Sequence, residues 1–163
     1  MLRSIATVSV SGTLVEKLKA ISRAGFDGVE IFENDLLYFD GSPADVKRIC
    51  TDLGLQIMLF QPFRDFEGVS AERLARNLER ARRKFELMHE LGTDRVLVCS
   101  NASADSIGGD ALLVDQLGQF AELARAEGVA MAHVAAVEPG LEPSHALRRR
   151  AMRKRFGNDV AAR

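Results

Sequence analysis

Four times along this chain a helix-like stretch ends in a glycine, and a short apolar run follows within a few residues. The glycines are Gly25, Gly54, Gly92 and Gly128, and the runs are GVEIF at 28–32, QIMLF at 56–60, RVLVC at 95–99 and VAMAHV at 129–134. A glycine just past a helix takes the left-handed conformation that closes it. Near-continuous apolar runs of this length suit strands covered on both faces, as in a parallel sheet. An opening run, SIATVSV at 4–10, makes a fifth strand.

The stretches between the runs have helical period. Leu14, Leu18 and Ile21 share a face of a helix over 13–24. Ser42 and Pro43 form a helix start, with the serine as N-cap and the proline in the first turn. Its apolar positions are Val46, Ile49, Cys50 and Leu53. Ser70 caps the longest helix, with Leu74, Leu78, Ala81, Phe85, Met88 and Leu91 as its stripe. Arg73, Arg76, Glu79, Arg80, Arg82, Arg83 and Lys84 are assigned mostly to its solvated faces. Leu113, Leu117, Phe120 and Leu123 mark a fourth helix. The order β-α-β-α-β-α-β-α-β implies an α/β fold with a parallel sheet and right-handed crossovers. Periodicity does not separate an open, doubly wound sheet from one that curls into a barrel. The chain has no G-x-G-x-x-G after its first strand and no G-x-x-x-x-G-K-[ST], which shifts the balance modestly to the barrel.

Composition sets the outer bounds. A chain of 163 residues with 47% hydrophobic and 28% charged residues belongs with globular proteins that build a real core. It is short for a complete (β/α)8 barrel, which takes about 250 residues. No apolar run approaches the roughly 18 residues of a membrane span. The start, MLRSI, moves straight into a strand pattern without a signal-peptide core. Cys50 and Cys99 form neither a C-x-x-C pair nor a disulfide framework, so a cytoplasmic location is expected. Charge is uneven: 142–163 hold seven Lys/Arg against two Asp/Glu, +5, which leaves −6 on 1–141 from a net −1.

In a parallel α/β architecture the chemistry sits at the C-terminal ends of the strands. There the chain places 9–12, 32–35 continuing to 38–41, 61–68 and 100–103. Arg64 stands out, because a guanidinium on a strand-end loop can hold a carboxylate through two parallel hydrogen bonds. The plainer alternative is an ion pair with neighbouring Asp65 or Glu67. Glu30 and Glu33 flank the second strand, and Glu30 interrupts an apolar run and is expected to point into a barrel interior, where a structural ion pair is at least as good an account as catalysis. Ser100 and Asn101 can donate to a substrate oxygen, although polar residues are common at strand ends. His89 lies late in a helix, His145 in the basic tail, and His133 at the end of the fifth run, where a lone histidine is more often structural. There is no H-E-x-x-H and no nucleophile elbow.

The segments SIATVS at 4–9, AGFDGVEIFENDL at 24–36, LFQPFRDFEG at 59–68 and LGTDRVLVCSN at 91–101 carry a resemblance. The chain resembles the bacterial 3-dehydroshikimate dehydratases, of the kind often fused to a domain similar to hydroxyphenylpyruvate dioxygenase. These are members of the xylose-isomerase-like sugar phosphate isomerase/epimerase superfamily. The resemblance runs from about residue 2 to 128 and implies about four to five parallel strands of a (β/α)8 TIM barrel. It also implies a lyase acting on 3-dehydroshikimate in aromatic compound catabolism, with protocatechuate as product. A base removes a proton alpha to the ketone, a divalent metal (Mg, Mn or Co) steadies the enediolate, and water leaves. Arg64, Phe32, Glu33, Ser100 and Asn101 then fall on loops that line the substrate pocket.

The family's first metal ligand is a Glu at the end of strand five, in a segment like Tyr-Glu-Ala. Here that segment is His133, Val134 and Ala135, and valine cannot bind a metal. The resemblance stops after Gly128. The expected organisation is therefore an N-terminal half-barrel over 1–134 and a divergent basic tail over 135–163, with no catalytic residue, metal ligand or cofactor of its own. Three readings follow. The chain is an inactive piece of the dehydratase, arising from a reading-frame change near codon 128. Alternatively it is a half-barrel, of a dehydratase or a related sugar phosphate isomerase/epimerase, that works as a homodimer through open sheet edges or with a partner chain. The third and least favoured is a non-enzymatic binding module whose Arg148 to Arg155 run contacts nucleic acid or an anionic surface, with no membrane partner expected.

Overall fold

In the computed structural model, which describes residues 2–134, strands and helices alternate from β1 (Ser4–Ala6) onward. There follow α1 (Leu14–Arg23), β2 (Gly28–Phe32), α2 (Glu33–Leu37), α3 (Pro43–Asp52), β3 (Gln56–Phe63), α4 (Ala71–Leu91), β4 (Arg95–Cys99), α5 (Asp110–Ala126) and β5 (Ala130–Val134). They form one five-stranded sheet in the order β1-β2-β3-β4-β5. Strands β1 and β2 pair in parallel with Ser4 opposite Gly28, and β2 and β3 pair in parallel with Gly28 opposite Gln56. A Cβ on Gly28 would stand 2.7 Å from the Gln56 carbonyl oxygen, so this register requires glycine there. The basic stretch 135–163 and the boundary assigned before it lie outside the described residues.

Local chemistry sets the helix starts. Thr13 Oγ1 accepts from the Glu16 N–H at 3.4 Å, and the Glu16 carboxylate accepts from the Thr13 N–H at 2.8 Å. Ser42 and Asp45 make the same reciprocal pair at 3.2 and 3.0 Å ahead of Pro43. Each capping box satisfies two otherwise unpaired backbone donors. All four punctuating glycines have positive φ, between 68° and 76°.

Three element assignments change. The first strand ends at Ala6, because Thr7–Ser9 turn as a 3-10 helix and the buried Thr7 hydroxyl accepts the Phe32 N–H at 3.0 Å. The third strand runs on through Gln61, Pro62 and Phe63, so these three residues belong to β3 and not to its loop. Glu33 opens the short helix α2 instead of sitting in an open loop.

The described chain divides into two units, 2–62 with Glu86–Arg95, and Phe63–Phe85 with the described residues from Val96. In the first, Leu18, Val29, Ile31, Val46 and Phe60 have no exposed surface. Within β2, Val29 and Ile31 are buried while Glu30 and Phe32 are half-buried, so the strand has one sealed face and one more open face. In the second unit, Phe120 lies 5.3 Å from Phe63, 4.8 Å from Phe66 and 5.6 Å from Phe85, ring centre to ring centre. Such pairs contribute about 0.5–1.5 kcal/mol each beyond area burial. Lys84 is buried, against its assignment to a solvated face, with Nζ 5.4 Å from the centre of the Phe63 ring. No described helix is long and apolar enough to cross a membrane.

Candidate active-site loops at the strand ends

In the first unit the more open face of β2 holds Glu30. Its carboxylate accepts from Gln61 Nε2 at 2.9 Å and from Ser4 Oγ at 3.3 Å. Both partners are neutral, so the structural account of Glu30 is a hydrogen-bonded carboxylate and not an ion pair. Phe32, at the C-terminal end of β2, is half-buried and fixed through its N–H to Thr7. Glu33 follows it in the first turn of α2, also half-buried. Lys17 Nζ reaches Asp35 Oδ1 at 2.7 Å, tying α2 to α1. A cleft of about 350 Å³ in this unit is lined by Gln56, Met58, His89, Thr93 and Arg95. It lies at the N-terminal ends of β3 and β4, the end of a parallel sheet that carries stability and not chemistry.

In the second unit, the loop after β3 is held along its whole length. Six consecutive carbonyls each accept a hydrogen bond from elsewhere in the unit. Arg80 Nη2 donates to Arg64 O. Asn77 Nδ2 donates to both Asp65 O and Phe66 O at 2.9 Å. Asn101 Nδ2 donates to Glu67 O at 2.8 Å, Ile107 N to Gly68 O at 2.7 Å, and Gln116 Nε2 to Val69 O at 2.7 Å. The Arg80 guanidinium also stacks over Phe63, 4.5 Å from the ring centre.

Arg64 itself is exposed, and among the described residues its guanidinium has no salt-bridge partner. The ion pair with Asp65 or Glu67 is not formed. Glu67 turns inward instead, 3% exposed, and its Oε1 accepts the Asn101 N–H at 2.8 Å. Asn101 spends both ends of its side chain within this unit, Nδ2 on Glu67 O and Oδ1 accepting the Ser103 N–H at 2.9 Å. Ser100 Oγ stands 3.4 Å from His133 Nε2. Burial raises the Cys99 thiol above its ordinary pKa, with Arg64 pulling it down and Glu67 pushing it up, so both charges act on the end of β4. The structure thus gathers Arg64, Ser100 and Asn101 in one unit and leaves Phe32 and Glu33 at the end of β2 in the other.

Sequence reasoning missed Asn77, Arg80, Gln116 and the inward Glu67. A signal existed for two of them. Asn77 falls three residues after Leu74 and four before Ala81, on the apolar stripe of α4. Gln116 falls between Leu113 and Phe120 at the same spacing on α5. A polar residue at an apolar helical position has a partner or costs stability.

Residues 18–147 match the model of the xylose isomerase-like TIM barrel family. The chain is 69% identical over 135 residues to a 3-dehydroshikimate dehydratase of Pseudomonas aeruginosa, covering 83% of this chain and 21% of that protein. It is 63% identical over the same length to a 3-dehydroshikimate dehydratase of Pseudomonas putida, with the same coverage. The chain therefore spans about a fifth of the length of the curated relatives it matches. Among solved structures, a xylose isomerase-like TIM barrel/4-hydroxyphenylpyruvate dioxygenase fusion protein superposes with a TM-score of 0.81 at 63% identity, over 83% of this chain and 22% of that one. The IOLI protein, solved with a binding zinc atom, superposes at 0.72 with 17% identity over 83% of this chain and 52% of that one, a likeness of fold alone.

Proposed function

We propose that this chain, which belongs to the xylose isomerase-like TIM barrel family, supplies the substrate-carboxylate side of a 3-dehydroshikimate dehydratase site. Its five strands with alternating helices are part of such a barrel. The observation that carries the reading is Arg64: an exposed guanidinium without a salt-bridge partner among the described residues, on a fully hydrogen-bonded loop at the C-terminal end of β3. An arginine held this way has its donors free for a planar anion. The 69% identity with a dehydratase supplies the substrate, 3-dehydroshikimate, which bears one carboxylate.

The roles divide by position. Arg64 holds the carboxylate, Ser100 presents a hydroxyl beside His133, and Asn101 shapes the wall by holding Glu67 and Ser103. Phe32 and Glu33 belong to the other unit, where they put an apolar edge and a carboxylate at the end of β2.

A divalent metal is part of the dehydratase reading, but the described residues do not fit one. Among them no group of three His, Cys, Asp or Glu is placed to hold an ion, and Val134 stands at the end of β5. Ca²⁺ and Mg²⁺ take oxygen ligands, and a site for them needs several. We assign this chain binding and no turnover by itself.

Calorimetric titration of the full chain with 3-dehydroshikimate tests the reading. Binding is expected, with Arg64→Ala weakening it about tenfold to a hundredfold, the equivalent of about 1.5–3 kcal/mol for hydrogen bonds to charged groups. Absence of binding, or an unchanged affinity in the variant, sinks the proposal. Protocatechuate formation upon adding Mg²⁺, Mn²⁺ or Co²⁺ would instead show that the chain is a complete catalyst.

A further inference from the structure

We infer that Asn77, together with Arg80, is a positioning residue that acts through Arg64, holding the loop after β3 in the one conformation that presents its guanidinium to a carboxylate. The inference rests on the reading of Arg64 as the carboxylate anchor. Its own grounds are the carbonyls of that loop. A loop normally leaves several carbonyls to water, yet from Arg64 to Val69 each one is taken by a donor from the same unit.

Asn77 has the central place. It is 4% exposed, and one amide group spans two consecutive carbonyls at 2.9 Å each. The first belongs to Asp65, the residue after Arg64, which has φ of +55°. That left-handed conformation is uncommon for a residue other than glycine, and it needs surrounding contacts to persist. Asn77 grips the peptides on the C-terminal side of this turn. Arg80 grips the carbonyl of Arg64 itself while its guanidinium lies on the Phe63 ring. The two donors come from successive turns of α4, a 21-residue helix, so the loop is referred to a rigid element. Arg64 is thereby anchored at its backbone while its head stays exposed. A guanidinium on a mobile loop would lose freedom on binding; one on a fixed loop has lost it already.

The test compares Asn77→Leu, which keeps the branched shape and removes the donors, with the parent chain in two measurements. In hydrogen exchange, the amides of Val69 and Ile107, both bonded within this network, should exchange at least about tenfold faster, while Leu55 in the other unit is unchanged. In titrations, affinity for 3-dehydroshikimate should fall about tenfold, while affinity for its methyl ester, which has no anionic carboxylate for Arg64 to hold, stays as it was. The Asn77→Leu/Arg64→Ala double variant should bind the acid no more weakly than Arg64→Ala alone.

Unchanged exchange at Val69 and Ile107 overturns the inference. So does equal weakening of acid and ester, because a general structural defect would spare neither. If Asn77→Leu speeds exchange throughout the chain, the exposed Arg80→Met decides by the same criteria. If the parent chain binds neither compound, the function proposed for Arg64 fails, and selective acceleration at Val69 and Ile107 still shows that Asn77 holds the loop.

Discussion

Lys17 Nζ lies 2.7 Å from Asp35 Oδ1, and the two side chains are only 9% and 15% exposed. The other Asp35 oxygen is buried without a hydrogen-bond partner. Removing one member of such a pair leaves a charge buried and unmatched, which destabilises by about 3–5 kcal/mol. Lys17→Met should therefore lower stability by that amount, a large part of the roughly 5–15 kcal/mol typical of a domain. The double variant Lys17→Met/Asp35→Leu should recover most of the loss, because neither charge then needs a partner. Urea unfolding of the parent chain, Lys17→Met, Asp35→Leu and the double variant measures this, and additive losses in the double variant would show that the pair is not coupled.

The cysteines should separate by reactivity. Burial pushes the Cys50 thiol up to about 12, and Cys50 is 1% exposed. Cys99 is half-buried, and its thiol is also raised, first by burial. The thiolate is the nucleophile, so at pH 8 iodoacetamide should modify Cys99 slowly and leave Cys50 intact until the chain unfolds. Peptide mass mapping over time checks the order. Modification of Cys50 before Cys99 in native buffer would contradict the packing of α3.

The sequence carried the fold where its signals are local. Strands β2 and β4 run over 28–32 and 95–99, as their apolar runs indicate, and the four glycines end their helices with positive φ. It misled where a tertiary bond decides. The Thr7 hydroxyl takes the Phe32 amide and ends β1 early, although 4–10 reads as strand throughout. Pro62 discourages a strand assignment, yet β3 continues to Phe63. Arg64 was legible as a guanidinium on a strand-end loop. What fixes it was not, because Asn77, Arg80 and Gln116 lie 13, 16 and 52 residues away along the chain and show their role only when the helices are docked.

Acid should act on the α3 cap in a defined window. Hydrogen bonds from Ser42 hold the Asp45 carboxyl down at about 2, below the ordinary 3.8, with Arg48 adding to the effect. A depressed carboxylate pKa stabilises the folded state above the unfolded value, and the contribution disappears as pH falls through the folded one. The cap's contribution should thus be whole above about pH 4 and decline between about 4 and 2. The Asp45 side-chain carbon resonance followed by NMR gives the pKa directly. Asp45→Asn should remove this pH dependence, and a midpoint near 3.8 in the parent chain would show that the capping box does not hold in solution.

Self-association should follow from the strand order. Strands β1 and β5 are the outermost of the described sheet, and an outer strand presents backbone groups on which another chain can pair. Strand β1 has only three residues, which blunts pairing, but it is flanked by Leu2 and Val8 at 65% and 51% exposed. Two apolar side chains beside a free edge favour contact with a like surface, each contributing up to about 1.5–3 kcal/mol if fully buried. A second copy of this chain carries the same surface, and pairing like with like closes the contact as a dimer. Sedimentation at micromolar concentration should show a monomer–dimer equilibrium. The Leu2→Lys/Val8→Lys variant should shift it to monomer without lowering the unfolding midpoint, since neither side chain is part of the core. A parent chain that sediments as a monomer at every concentration would show that this edge is already covered.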